Sequence, residues 1–164
     1  MRFDERGLIQ PAKGIQMTQD QFRQAFVDDL PSEIRSQIYA QYERYTTDFT
    51  RLVSGSFTQW IGGSFTTAKA NPRDLDLLTI VKKSEYDRHQ GLIEQEFRRG
   101  SITYPLVDAY FLPYPATDEE KKSLFRGDLL YWVHQFGSTR RNRRGQRNLR
   151  GYIEIIHKDF SYER

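Results

Sequence analysis

Apolar side chains recur at steps of three and four residues over two stretches early in the chain, which predicts two helices. The first carries Phe22, Phe26 and Val27 on one side; Thr18 and Gln21 have the spacing of a capping box, and Leu30-Pro31-Ser32 breaks the element. The second aligns Ile34, Ile38, Tyr42, Tyr45, Phe49 and Leu52 in a stripe fit to cover a sheet, ending near Ser54-Gly55. The period then changes. Residues 56–61 and 75–81 are short runs rich in β-formers, separated by Gly62-Gly63 and a polar stretch, and read as strands. Residues 84–99 read as a helix, 102–112 as a third strand, 117–136 as a helix opened by Thr117-Asp118-Glu119-Glu120, and 151–157 as a fourth strand. Residues 1–17, with Gly7, Pro11 and Gly14, read as an extended lead-in. This order predicts an α/β (α+β) fold, a mixed β-sheet flanked by helices, and excludes a bundle, a sandwich and a coiled coil.

A length of 164 residues fits one domain. Hydrophobic residues make up only 37%, but 23 of the residues are aromatic, so the core is expected to be built from rings, Trp60, Trp132, Tyr131 and Phe136 among them. The chain has no Cys, which excludes disulfides, thiolate nucleophiles and Cys-ligated zinc. The start, Met1-Arg2-Phe3-Asp4-Glu5-Arg6, lacks the apolar run of a signal peptide, and no stretch has the length of a membrane span, so a cytoplasmic protein without membrane contact is expected. Net charge is +3, unevenly placed: residues 137–164 hold seven Arg and one Lys against three acids, leaving the remainder at −2. Any affinity for polyanions therefore rests on the C-terminal segment.

Chemistry concentrates between Trp60 and Val81. Asp74 and Asp76 lie two apart at the opening of an apolar strand, so both carboxylates project from one face while Leu75 and Leu77 project from the other. Adjacent acids repel, and a hard divalent cation, Mg²⁺ or Mn²⁺, relieves that cost. Gly63-Ser64 supplies a turn free of bulky side chains, suited to holding a phosphate on backbone N–H groups. Asp108 is a solitary carboxylate in an apolar strand and needs a partner, which a metal shared with Asp74 and Asp76 would supply. Lys69 and Arg73 flank the phosphate turn, where each is either a ligand of a triphosphate or solvated. His89, His134 and His157 have no spacing that suggests a metal or nucleophile site.

Gly63-Ser64, the nine-residue spacer, Asp74-Leu75-Asp76 and Asp108 together resemble the nucleotidyltransferase superfamily that includes DNA polymerase β, and most closely its small prokaryotic minimal-nucleotidyltransferase branches. Phe3-Asp4-Glu5-Arg6-Gly7 and Arg150-Gly151-Tyr152-Ile153-Glu154-Ile155 are similar to an uncharacterised bacterial subgroup. The superfamily resemblance implies two Mg²⁺ ions on Asp74, Asp76 and Asp108, a nucleoside triphosphate against Gly63 and Ser64, and transfer of a nucleotidyl group to an acceptor hydroxyl, with Asp108 activating the acceptor. That hydroxyl belongs to a protein, an RNA end or a small molecule. The rival readings are a catalytically silent nucleotide-binding or antitoxin-like protein, such as occurs in toxin and antitoxin pairs, and an RNA-binding module. The last rests on Arg140, Arg141, Arg143, Arg144, Arg147 and Arg150, which grip RNA, the triphosphate or an acidic partner protein, or are merely solvated.

Overall fold

A computed structural model describes residues 1–117 and 119–162, without the side chains of Glu119 and Glu120. Five strands, β1 (Gly14–Gln16), β2 (Phe57–Gly62), β3 (Leu75–Lys82), β4 (Val107–Tyr114) and β5 (Tyr152–His157), form one mixed sheet in the order β1-β5-β2-β3-β4. β1 runs parallel to β5 and β3 parallel to β4; β2 is antiparallel to both its neighbours. The expected α/β class holds.

Strand periodicity divides the core in two. Odd positions Leu75, Leu77, Val81, Val107, Ala109 and Phe111 join the cluster beneath the N-terminal helices. Even positions Leu78, Ile80, Leu112 and Tyr114 join the cluster beneath α5 (Glu119–Phe136). Asp76 and Asp108 are also even, so the same rule sets both carboxylates on the α5 face.

Helix α1 (Gln19–Arg23) opens with the expected reciprocal Thr18 and Gln21 capping box and continues as a π-helical turn, Gln24–Asp28. α2 (Glu33–Leu52) buries Ile38, Tyr42, Tyr45 and Phe49 completely, while Leu52 turns outward and Val53 takes its place. The expected single helix over 84–99 is three pieces: α3 (Lys83–Arg88), α4 (Gln90–Leu92) and a π-helical turn, Ile93–Phe97. His89 interrupts it with φ −111° and ψ 17° and a ring nitrogen 3.0 Å from the Glu85 carbonyl, next to the poor helix former Gly91.

β4 starts five residues later than its apolar run suggests. Ser101 Oγ accepts the N–H groups of Thr103 and Tyr104, closing a turn that leaves Ile102 95% exposed. Pro113 is tolerated because β4 is an edge strand. The capping sequence 117–120 lies largely outside the described residues. β1 is the fifth strand, hidden in the lead-in because three residues carry no readable period. No described helix is long and apolar enough to cross a membrane.

Candidate functional site

At the C-terminal end of β2 and the opening of β3 and β4 the chain forms a cleft of about 1060 Å³. Its lining includes Gly63, Ser64, Lys69, Arg73, Asp74, Asp76 and Asp108, so the residues singled out in the sequence converge in space. Asp76 stands opposite Gly62 on one side and Asp108 on the other in the strand register. Gly63 has φ +71°, and a Cβ there would come within 1.8 Å of Asp76 Oδ2. The carboxylate thus rests directly against the glycine turn. Gly63→Ala is expected to cost about 1 kcal/mol or more from φ alone and to push Asp76 aside. Thermal unfolding with and without Mg²⁺ and nucleotide checks this: both stability and the ligand-induced shift should fall.

Two buried arginines brace the segment from Gly63 to Lys69. Arg35, fully buried in α2, donates to the carbonyls of Phe26 and Phe65 (both 2.9 Å), Thr67 (2.7 Å) and Lys69 (2.6 Å). Arg150 donates to the Gly63 carbonyl at 2.8 Å and to both the carbonyl and hydroxyl of Thr66. Because C=O and N–H of a trans peptide point in opposite directions, anchoring the Gly63 and Phe65 carbonyls turns the Ser64 and Thr66 N–H groups away from these guanidiniums. The lead-in closes a further side: Ala68 N–H donates to Gly7 O, and Leu8 bridges to Thr67.

Electrostatically the site is strained by its own acids. Burial, then the charges of Asp74 and Asp108, push the Asp76 carboxyl up to about 6, with Arg140 and Arg150 opposing. Burial pulls Arg150 and Arg35 below the ordinary guanidinium value. Asp108 pairs with Arg99, Nε to Oδ2 3.3 Å. The donor chemistry, three carboxylates with repulsion to relieve, fits a hard divalent cation. Among the described residues, however, no three acidic, His or Cys side chains are already gathered as a cation site.

The arginine loop divides. Arg150 is buried at the edge of the cleft, where the oxygens of Gly63 and Thr66 take up its guanidinium. Arg147 is half-buried and donates to Ser138 Oγ, whereas Arg140, Arg141, Arg143 and Arg144 are exposed. The loop is closed by its own bonds, from Thr139 N–H to Asn148 O and through Asn142, whose side chain accepts the N–H groups of Arg144 and Gln146. Arg140 and Arg141 line the cleft.

Trp60 and Phe136 are core, as expected, but Tyr131 is 56% exposed and Trp132 is half-buried, and both line the cleft instead. Trp132 packs on Tyr110 and Phe136 at the margin of the α5-side core, and Tyr131 packs on Trp132. His157 serves the core: it stacks on Phe57, its ring nitrogen lies 3.0 Å from Gln59 Oε1, and burial lowers its pKa to about 4. Sequence reasoning missed Arg35 and Arg99. A lone charge at position 35, in helical phase with Ile38, Tyr39 and Tyr42, was the available signal for the first. Arg99 had none.

A family model described as "Family of unknown function (DUF6932)" matches residues 1–156. The chain belongs to this family. The match takes in every element of the site, from the Gly7 lead-in to Arg150. Neither a curated protein nor a solved structure matches the chain. Membership therefore supplies no activity.

Proposed function

We propose that the protein is a metal-dependent nucleotidyltransferase that moves a nucleoside monophosphate from a nucleoside triphosphate to an acceptor hydroxyl. The supporting observation is the juxtaposition in one cleft of a glycine turn whose carbonyls are pinned behind it and three carboxylates on the opening turns of two paired strands. In this reading Asp74, Asp76 and Asp108 hold Mg²⁺ or Mn²⁺, which when bound neutralises phosphate charge and helps align the reacting oxygens. Gly63 and Ser64 hold the phosphates through backbone N–H groups, and Lys69 and Arg73 offset their charge. Asp108 orients the acceptor and takes its proton. The acceptor oxygen bonds to the α-phosphorus, the bond from that phosphorus to the bridging oxygen breaks, and pyrophosphate leaves with the electron pair. Alignment and charge neutralisation, not a covalent enzyme intermediate, supply the rate.

A second reading, nucleotide binding without transfer, is favoured by the Arg99 pairing that already occupies Asp108. One experiment separates the two. Each nucleoside triphosphate, labelled at the α-phosphate, is incubated with protein, Mg²⁺ and a cell extract, and the label is located. Transfer that disappears in Asp74→Asn supports the enzyme. Mg²⁺ and nucleotide together should also raise the melting temperature, with about 2.7 kcal/mol available at a hundredfold excess over Kd. Asp108→Ala should erase most of that gain. Equal stabilisation of both proteins removes Asp108 from the site, and stabilisation without any transfer favours the silent binder.

A further inference from the structure

The cleft, of about 1060 Å³, is more positive than a nucleotide requires. Eight cationic side chains line it against four acidic ones, a surplus of four. A triphosphate alone would consume that surplus; a triphosphate with its divalent ions would not, and leaves positive charge facing whatever else binds. The charge also continues past the rim, because Arg143 and Arg144 are exposed on the same closed loop but do not line the cleft. A ligand confined to the cleft cannot use them, whereas an extended polyanion can. On the cleft wall Tyr131 is exposed and packs edge-on to Trp132, ring centroids 5.3 Å apart at 76°, and Trp132 in turn leans on Tyr110 at 5.1 Å. An exposed ring held by a second ring, in a cleft that Arg140 and Arg141 also line, has the form of the platforms on which nucleobases stack.

We propose that the second ligand of the cleft is the end of a single-stranded nucleic acid. Its phosphates lie along Arg140, Arg141, Arg143 and Arg144, and a base near its terminus stacks on Tyr131. This rests on the transferase reading for one point only, that the bound strand's terminal hydroxyl is the acceptor: its oxygen would form the new bond to the α-phosphorus as pyrophosphate departs. An acidic peptide could satisfy the arginines but offers nothing that needs Tyr131.

The test is fluorescence anisotropy of a labelled oligouridylate of about twelve nucleotides, within the usual span of single-strand sites. Metal and nucleotide are omitted. Four arginines on four phosphates give a slope of log affinity against log salt of about −3. Changing Arg140, Arg141, Arg143 and Arg144 together to Gln should bring the slope to about −1 or shallower. Tyr131→Ala should weaken binding roughly fivefold or more at unchanged slope. Melting curves verify that both variants fold. A polyglutamate peptide of equal charge should bind more weakly and ignore Tyr131→Ala. Peptide binding as tight as the oligonucleotide's, with neither sensitive to Tyr131, overturns the proposal in favour of an acidic protein partner. Absence of oligonucleotide binding overturns it too, while an intact Asp108-dependent nucleotide shift on the same preparation would leave the transferase reading standing. If the strand binds as expected but nucleotide gives no shift, the transferase reading falls and the strand site remains.

Discussion

Asp76→Asn is expected to abolish the proposed transfer, by at least about a hundredfold, while yielding a protein that melts higher than the parent at pH 7 in a chelating buffer. The loss follows from removing a carboxylate at the centre of the acidic group. The gain follows from linkage. The folded-state pKa of Asp76 is raised to about 6 from an ordinary 3.8. Its contribution to stability is therefore fully present below about pH 4 and is lost as pH rises through 6. A shift of one pKa unit corresponds to about 1.4 kcal/mol, so the ionised group costs on the order of 3 kcal/mol at pH 7, a net figure in which the attraction of Arg140 and Arg150 is already included. Asparagine cannot ionise and escapes that cost. The difference between the two melting temperatures should shrink from pH 7 to pH 4, which thermal melts across that range measure directly. A variant that melts lower at every pH would mark the carboxylate as structural.

The largest loss of stability is expected from Arg35→Met. Methionine fills similar volume but leaves four carbonyls without the donor that gathered them, two inside the core and two at its edge. An orphaned buried acceptor costs about 1–3 kcal/mol, and relaxation of the exposed part of the loop limits the total to about 3–5 kcal/mol. Arg35→Lys should recover little, since one ammonium cannot reproduce a planar fork spread over several acceptors. Denaturant unfolding gives the loss. The nucleotide-induced shift should also vanish in any folded fraction, because the turn at Gly63 loses one of its two braces. A variant within 1 kcal/mol of the parent would show the loop to be held by its other contacts.

The sequence carried the strands and the acidic group because both depend on short-range periodicity. Alternation along 75–81 and 107–112 sets which carboxylates share a face, and the pairing of Asp76 with Asp108 follows once the two strands lie in parallel register. What stayed hidden depends on contacts between distant segments. Arg150 looks like one more arginine of its loop until the fold brings it to the glycine turn, 87 residues from the carbonyl it holds. Arg35 reads as polar although its helical phase is that of the core. Tyr131 counts as a core ring by composition, yet its position on α5 turns it toward the cleft. The break at His89 is local, but it arises from a side chain competing for a backbone carbonyl, which apolar periodicity does not register.

The insertion of β5 between β1 and β2 bears on how the protein is made. While the chain is being synthesised, β2, β3 and β4 can pair as soon as they emerge, but the far edge of β2 stays open until residue 157 is available. That edge belongs to a strand buried along its whole length in the finished fold, and an apolar strand with unpaired backbone groups is a template for joining other chains. A stalled nascent chain ending before Arg150 would therefore be adhesive and would lack the guanidinium that anchors Gly63. The anchor of Gly63 and the cover for the edge of β2 arrive together, on the same C-terminal segment.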